Sequence, residues 1–396
     1  MNDKPEPNKI LFHMDYLLLS ICISLLILGY IMVTSSSLHL GEKMVNDSMY
    51  YPVKQLIHIV IGIIVAICVA FIPMKIWENS SSWLFIAGLA LLVAVLIPGV
   101  GIKVNGSVRW ISISGLRIQV SEIVKFISVV YMAGYVTRHI EDVQNSTYGL
   151  IKPLLLFSVA CFLLLMEPDF GSAVVILSIA MGVMYLSGAR LWQFLILITV
   201  VVLLGMLLVY FSPYRWARVT GFINPWADAQ NTGFQLVQAL ISFGRGEIFG
   251  VGLGSGIQKL FYLPEAHTDF LFSVLAEELG LVGVLLTISL FSLLLWQTFA
   301  IARKAELVDE KFAAFVAYGL GIWFGFQAFI NMGVNMGMLP TKGLTLPLMS
   351  YGGGSMITMC AAMALLFRVN SEIVEKLKST TKLKNTPKGR SEWVSA

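Results

Sequence analysis

The run LWQFLILITVVVLLGMLLVYF at residues 191–211 decides the fold class of this chain, because it contains no charged residue. A helix needs about 20 apolar residues to cross the hydrocarbon core of a bilayer. Only helices and closed barrels satisfy all their backbone hydrogen bonds in lipid, and barrel strands alternate apolar with polar residues. An unbroken apolar run of this length therefore predicts a transmembrane helix.

The rest of the chain has the same character. Of its 396 residues, 57% are hydrophobic and 13% are charged, whereas about 25% are charged in a typical soluble protein. Comparable apolar runs occur at 16–34, 55–72, 83–100, 118–136, 153–168, 170–187, 270–302, 312–337 and 350–368. We therefore predict an all-α, polytopic membrane protein with ten transmembrane helices.

The distribution of basic residues predicts the orientation. An even number of spans puts both termini on one side, and with cytoplasmic termini 16 Lys and Arg lie inside and 11 outside, in the sense of the positive-inside trend. The predicted organisation is a cytoplasmic tail (1–15), a transmembrane domain (16–370) with a large extracytoplasmic loop between spans 7 and 8 (212–269), and a basic cytoplasmic tail (371–396). The composition of this last segment predicts disorder.

Several functions are disfavoured by composition and spacing. The net charge of +4 is too modest to indicate nucleic-acid binding, and the four cysteines lie within apolar runs without metal-site or disulfide spacing. The glycine-rich stretch 244–256 lacks the spacing of nucleotide-binding loops. Its glycines permit close backbone approach, either to a ligand or to another segment of the chain.

An acidic cluster stands out in LPEAHTDFLFSVLAEELG, residues 263–280. Asp269 opens span 8 at the outer boundary, where spacing alone favours a helix cap by Thr268 or Asp269 itself. Glu277 and Glu278 lie two turns deeper, and an unpaired carboxylate at mid-membrane costs roughly 2.5–3.5 kcal/mol. We therefore expect these two acids to face a polar cavity or a basic partner.

Basic residues lie on the same outer side, against the topological trend; those near polar motifs are Arg109, Lys125, Arg215, Arg218 and Lys342. Glu122 and Lys125 share one helix face, where they either neutralise each other or act on a ligand. Arg215 and Arg218 stand among aromatic residues and also fit interfacial anchoring. Cations near an acidic cluster suit an anionic, phosphate-bearing lipid and a carboxylate poised for proton transfer.

Several motifs, in order, give the chain a specific resemblance to the SEDS family of shape, elongation, division and sporulation proteins. They are NGSVRWI (105–111), QVSEIVK (119–125), EPDFGSA (167–173), NPWAD (224–228), GFQLVQALISFGRGEIFGVGLGSGIQK (233–259), LPEAHTDFLFSVLAEELG (263–280) and GMLPTKGLTLPLMSYGGGS (337–355). The resemblance covers roughly residues 13 to 370. The segment PTKGLTLP is more similar to the division branch of the family than to its elongation branch.

The resemblance implies a ten-helix peptidoglycan glycosyltransferase of the bacterial inner membrane, acting at the division septum. Its substrate would be lipid II, and its partners a class B penicillin-binding protein and other divisome membrane proteins. The essential family acid matches Asp269. The expected substrate-binding residues are Arg109, Glu122, Lys125, Arg215, Arg218, His267, Lys342 and Ser350.

Three questions remain open at the level of sequence. Asp269 suits either a general base or a ligand of a divalent cation, Mg²⁺ or Mn²⁺, at the substrate pyrophosphate, although no dedicated cation cage is visible. A lipid II flippase fits a polytopic chain with polar residues between its helices. A scaffold that only recruits division proteins is the third alternative.

Overall fold

The computed structural model describes residues 13–385, apart from 105–106, 114–115 and 341–342. Its helices are α1 (Tyr16–Val45), α2 (Tyr50–Phe71), α3 (Met74–Leu96), α4 (Val120–Arg138), α5 (Ile140–Asn145), α6 (Thr147–Met166), α7 (Phe170–Leu186), α8 (Leu191–Tyr210), α9 (Pro213–Ile223), α10 (Phe234–Gly246), α11 (Leu271–Leu307), α12 (Lys311–Asn335) and α13 (Gly353–Asn385). A 3₁₀ turn spans Pro225–Asp228, and three strands, β1 (Ile102–Val104), β2 (Ser107–Ile113) and β3 (Leu116–Gln119), precede α4.

Eight of these helices are long and apolar enough to cross a membrane: α1, α2, α3, α4, α6, α11, α12 and the part of α13 up to Ser379. Two shorter apolar helices, α7 and the Trp192–Leu207 part of α8, lie between them. The helical, polytopic class is therefore confirmed. In α4, 89% of the apolar stretch is buried by other helices, against 28% in α2, so α4 lies at the centre of the bundle and α2 at its lipid-facing side.

The segment before α4 corrects the all-α prediction. The three strands form an antiparallel sheet in the order β1-β2-β3, in which Trp110 of β2 pairs with Ile102 on one side and Gln119 on the other. The sequence of β2, SVRWISI, is rich in β-branched and aromatic residues, which favour a pleated surface over a helix. Strand β3 runs directly into α4, so this small sheet fixes the position of the α4 N-terminus.

The two deep acids of α11 each have a basic partner. Glu277 accepts a hydrogen bond from Arg245 Nη1 at 3.1 Å, and Glu278 accepts one from Lys259 Nζ at 2.6 Å. Glu278 also accepts from Ser35 Oγ in α1, at 2.7 Å to Oε2. Both carboxylates are fully buried. The prediction that they face a basic partner is confirmed. The Arg245 pair fastens α10 to α11, and the Lys259 pair fastens the loop after α10 to α11.

The glycines of the 244–256 stretch serve this same contact. A Cβ atom at Gly246 would lie 1.9 Å from the carbonyl oxygen of Ala276, and one at Gly250 would lie 2.1 Å from that of Glu278. Such distances leave no room for any side chain. The sequence leaves open whether these glycines allow close approach to a ligand or to another segment of the chain. Gly246 and Gly250 allow close approach to another segment, the backbone of α11.

The C-terminal segment corrects the prediction of a disordered tail. Helix α13 continues through residues 371–385. Ser371 Oγ accepts from the backbone N–H of His13 at 3.0 Å, and Arg368 forms an ion pair with Glu372 at 2.7 Å. Composition suggests disorder because the segment is polar and basic, but the ion pair supports the helix from within and the His13 contact docks it against the N-terminal end of the chain. The rest of the tail lies outside the described residues.

Candidate active site

Asp269 lies in the turn of residues 263–270, here called the acid turn, directly before α11. The residue is half-buried. Its backbone carbonyl accepts hydrogen bonds from Asn331 Nδ2 at 2.9 Å and Asn335 Nδ2 at 3.0 Å. A Cβ atom at Gly343 would lie 2.9 Å from Asp269 Oδ2. The carboxylate therefore lies close to the backbone of Gly343, the first described residue after 341–342.

The helix-cap interpretation of this turn is wrong. The capping position of α11 is held by Phe270, and no side chain caps the helix there. Thr268 Oγ1 instead donates to Glu265 Oε2 at 2.8 Å within the turn. The chain takes this course because the Asp269 carbonyl is bound by α12, which places the helix start beyond residue 269.

His267 lies in an aromatic cluster on the other side of the acid turn. Its ring lies 5.1 Å from that of Tyr51 and 5.3 Å from that of Tyr351, between ring centroids. Its backbone carbonyl accepts from the N–H of Tyr351 at 3.0 Å. Burial lowers the pKa of His267, and nearby Glu265 opposes that shift only in part. The lowered pKa favours the neutral imidazole over the imidazolium.

Ser350 closes the turn that leads from the 343–345 segment to α13. Its hydroxyl accepts from the backbone N–H of Leu346 at 2.9 Å, and its carbonyl accepts from Gln55 Nε2 at 3.4 Å. The side chain is buried. Ser350 is thus already engaged in local structure, and its predicted contact with substrate stays a prediction.

Glu122 and Lys125 form the ion pair that their spacing allows, at 2.8 Å in the interior of the bundle. Lys125 Nζ also donates to Gln327 Oε1 at 2.8 Å. The amide nitrogen of Gln327 donates in turn to the carbonyl of Thr345 at 2.9 Å. This chain of contacts links α4 to the segment that passes Asp269, while direct contact of the pair with substrate stays a prediction.

Arg109 projects from β2 onto the turn between α6 and α7. Its Nε donates to the carbonyl of Glu167 at 3.0 Å, and its Nη2 donates to the carbonyl of Pro168. A guanidinium carries five N–H donors. Arg109 is therefore held by two backbone carbonyls and retains further donors for an anion.

Asp169 is a residue whose role the motif EPDFGSA did not reveal. It caps α7 by accepting from the N–H and Oγ of Ser172, at 3.1 and 2.8 Å. It also accepts from Ser121 Oγ at 2.9 Å. These bonds tie the N-terminal ends of α7 and α4 together beside Arg109. The sequence feature that could have indicated this role is the presence of two acids, Glu167 and Asp169, in a short turn between apolar runs.

Three predicted site residues cannot be placed by their side chains. Lys342 lies outside the described residues. Arg215 and Arg218 belong to α9, but their side chains are outside the described part of the chain. Their predicted contacts with substrate stay predictions.

The described residues do not suit a protein-held metal ion. Within 13–385, with the gaps given above, no three His, Cys, Asp or Glu side chains come together in a way that could bind one. A divalent cation at the substrate pyrophosphate stays a prediction, and we assign no step to it.

Glu167 carries a further chemical consequence. Its side chain is fully buried, and neither carboxylate oxygen has a hydrogen-bond partner among the described residues. Burial raises the pKa of Glu167 to about 8, Asp169 adds to the shift, and Arg109 opposes it. A carboxyl whose pKa is raised on folding binds its proton more tightly in the native state, so the free energy of unfolding falls as pH rises from about 4.5 to about 8.

We therefore expect Glu167→Gln to flatten this pH dependence. The variant should match the parent below pH 5 and exceed its unfolding temperature at pH 8, measured on purified protein in detergent. As a matched control, Glu141→Gln replaces an exposed acid of α5 and should leave the parental slope unchanged. Equal slopes for the parent and Glu167→Gln would contradict the assignment.

The fold and site define a class of protein: a polytopic helical membrane protein with a half-buried carboxylate, an arginine and buried amides gathered at one end of its bundle. The model of the cell cycle protein family of FtsW, RodA and SpoVE matches residues 16–374. The chain belongs to this family, and the SEDS resemblance is confirmed.

Close relatives and solved structures agree. The chain is 63% identical over 382 residues to a probable peptidoglycan glycosyltransferase FtsW of Methylomonas methanica, covering 96% of this chain and 98% of the relative. A protein of the same name from Coxiella burnetii is 47% identical over 88% of this chain and 94% of its own length. These relatives belong to the division branch that PTKGLTLP indicated.

Two solved structures have the same fold. A chain from a study of how a peptidoglycan synthase complex coordinates polymerization and crosslinking matches with a TM-score of 0.74 and 27% identity, over 91% of this chain and 98% of that one. The rod shape determining protein RodA of Thermus thermophilus matches with a TM-score of 0.67 and 26% identity, over 92% and 98%.

Proposed function

We propose that the chain is a peptidoglycan glycosyltransferase that polymerises lipid II at the division septum. A relative at 63% identity is named as a probable peptidoglycan glycosyltransferase, which supports the proposal. The observation that carries the proposal is the placement of Asp269, half-buried before α11, held by its backbone and lying against Gly343. No side chain caps α11 at its N-terminus, so the Asp269 carboxylate is not held in a capping role.

The reaction joins the 4-hydroxyl of one disaccharide to the anomeric carbon of another. The Asp269 carboxylate takes the hydroxyl proton as the new carbon–oxygen bond forms and the bond to the pyrophosphate oxygen breaks. A positioned base of this kind contributes roughly 10²–10⁴-fold to the rate. The undecaprenyl pyrophosphate leaves as an anion, with inversion at the anomeric carbon.

The leaving group needs cationic donors. Arg109 is the described candidate, because two of its N–H groups hold the turn after α6 and the others remain for phosphate oxygens. Preorganised donors of this kind stabilise charge that develops in a transition state. We propose Arg215, Arg218 and Lys342 as further contacts on the same side.

The membrane arrangement follows from the same proposal. The eight long helices together with α7 and α8 give ten spans, with both termini in the cytoplasm and residues 212–269 outside. The acid turn then faces the extracytoplasmic side of the inner membrane. Lipid II would enter laterally from the outer leaflet.

A class B penicillin-binding protein is the partner we propose, together with other divisome membrane proteins. A structural relative comes from a peptidoglycan synthase complex in which polymerization and crosslinking are coordinated. A strand made at the membrane surface has to be crosslinked into the wall, so an adjacent crosslinking enzyme suits the product. Mg²⁺ or Mn²⁺ bound by the substrate pyrophosphate remains part of the proposal without a step of its own.

The decisive experiment separates the enzyme from its two rivals. Purified chain, with and without its crosslinking partner, is reconstituted in vesicles with fluorescent lipid II. Products are resolved on a gel while movement between leaflets is measured. Glycan ladders support the enzyme, and movement of lipid II between leaflets without ladders indicates a flippase. The absence of both ladders and movement indicates a scaffold.

A further inference from the structure

A row of three buried amides on α12 contacts both segments that meet at the proposed catalytic acid. Gln327, Asn331 and Asn335, here called the amide row, follow one another at intervals of four residues and so lie on one helix face. Their exposed fractions are 0%, 1% and 0%. Buried amides in an apolar helix call for partners, because burial without hydrogen bonds is costly.

The partners are backbone carbonyls of two separate segments. Asn331 Nδ2 donates to the carbonyl of Asp269 at 2.9 Å and to that of Leu344 at 2.6 Å. Asn335 Nδ2 donates to the Asp269 carbonyl at 3.0 Å, and Gln327 Nε2 to that of Thr345 at 2.9 Å. The single amide of Asn331 therefore joins the acid turn to the 343–345 segment.

The side-chain amides at the two ends of the row are held in this orientation, because the side-chain oxygens of Gln327 and Asn335 also accept hydrogen bonds. Gln327 Oε1 accepts from Lys125 Nζ at 2.8 Å and from Trp323 Nε1 at 2.9 Å. Asn335 Oδ1 accepts from the N–H and Oγ of Ser273, at 3.0 and 2.7 Å. The buried ion pair of α4 thus holds one end of the row, and the start of α11 holds the other.

The orientation of Asn331 is fixed by its surroundings. Both neighbours on its donor side are carbonyl oxygens, so only the NH₂ group can face them. Its Oδ1 is buried and has no partner among the described residues. An unpaired buried acceptor opposes folding. Asn331 therefore has a cost to stability, which we expect of a residue whose role is to fix the geometry of a site.

We infer that the amide row, and Asn331 above all, sets the distance and angle between the Asp269 carboxylate and the 343–345 segment for glycosyl transfer. Asn331 is then a positioning residue: it acts through the backbone of Asp269 and does not touch substrate. The inference rests on the proposed function. It also gives the ion pair of Glu122 and Lys125 a role, because that pair fixes Gln327.

Two substitutions test the inference in the polymerisation assay with the partner present. Asn331→Leu removes both donors at every pH, and we expect kcat per folded protein to fall by ~10²-fold, as for a misplaced catalytic group, with KM little changed. Asn331→Asp is isosteric and donates one bond only while its carboxyl is protonated. Its kcat, relative to the parent, should therefore fall as pH rises from 6 to 8.5, towards the level of Asn331→Leu.

A buried amide elsewhere provides the matched control. Gln297 Nε2 in α11 donates to Asp15 Oδ2 at 2.6 Å, so Gln297→Leu removes a comparable bond away from the acid turn. It should alter thermal unfolding without changing kcat. If Asn331→Leu does not fold, the pH profile of Asn331→Asp still decides the matter.

The outcomes separate the inference from the proposed function. Absence of ladders from the parent chain contradicts the function itself. With an active parent, parental kcat in both Asn331 variants overturns the inference, and so does a raised KM with unchanged kcat, because that pattern belongs to a substrate-binding residue. A kcat loss in Asn331→Asp that does not depend on pH also overturns it.

Discussion

Asp269→Asn is expected to reduce polymerisation of lipid II by at least ~10²-fold, because an amide cannot accept the proton of the attacking hydroxyl. The substitution keeps the size of the side chain. It also keeps the two hydrogen bonds from Asn331 and Asn335, since these end on the backbone carbonyl of residue 269. The measurement is the initial rate of glycan strand formation by the complex with its crosslinking partner.

The controls for this prediction come from the same turn. Glu265→Gln removes an exposed carboxylate four residues earlier and should polymerise near the parental rate. Asp269→Asn should unfold at the parental temperature and purify with the same partner. Substantial strand synthesis by Asp269→Asn would exclude Asp269 as the base.

Lys259→Met is expected to cause the largest loss of stability. Glu278 is fully buried, and Lys259 Nζ lies 2.6 Å from its Oε1. Removal of one partner leaves an uncompensated charge in the interior, which costs roughly 3–5 kcal/mol. The loop of 247–260 should detach from α11, and the unfolding temperature in detergent should fall accordingly.

Two further variants test the cause of that loss. Lys43→Met removes an exposed lysine that lies 3.9 Å over the ring of Phe261, and should cost no more than about 1 kcal/mol. Adding Glu278→Gln to Lys259→Met removes the stranded charge and should recover part of the stability. An unfolding temperature for Lys259→Met equal to that of Lys43→Met would show that the ion pair contributes little.

The fold was predictable where a single physical requirement dominates. Apolar runs long enough to span a bilayer predicted the helices, because lipid leaves the backbone no other partner. The strands around Trp110 were not predicted because they are short and polar on one face. The helix over residues 371–385 was not predicted because its order depends on contacts with distant residues such as His13.

Sequence predicted one pairing of the site but not the contacts of its amides. Spacing allowed the pairing of Glu122 with Lys125, which the structure shows, and family motifs nominated Asp269 as the catalytic acid, which stays a proposal. Gln327 and Asn331 were missed, although amides four residues apart in an apolar span were a readable signal. Their importance depends on the carbonyls that tertiary structure brings to them, and no local pattern contains that information.

The sidedness of the acid turn is the central claim, because lipid II polymerisation requires Asp269 on the extracytoplasmic face. Tyr262 and Leu307 have 54% and 80% of their surfaces exposed. Tyr262 lies before the N-terminus of α11, and Leu307 is the last residue of that helix. The helix from residue 281 to 307 rises about 40 Å at 1.5 Å per residue, enough to separate the two faces of a membrane.

The direct measurement is labelling of Tyr262→Cys and Leu307→Cys, each in a cysteine-free background, with a membrane-impermeant maleimide on intact spheroplasts. We predict that Tyr262→Cys reacts at once and that Leu307→Cys reacts only after permeabilisation. Labelling of Tyr262→Cys only after permeabilisation would place Asp269 in the cytoplasm and contradict the proposed function.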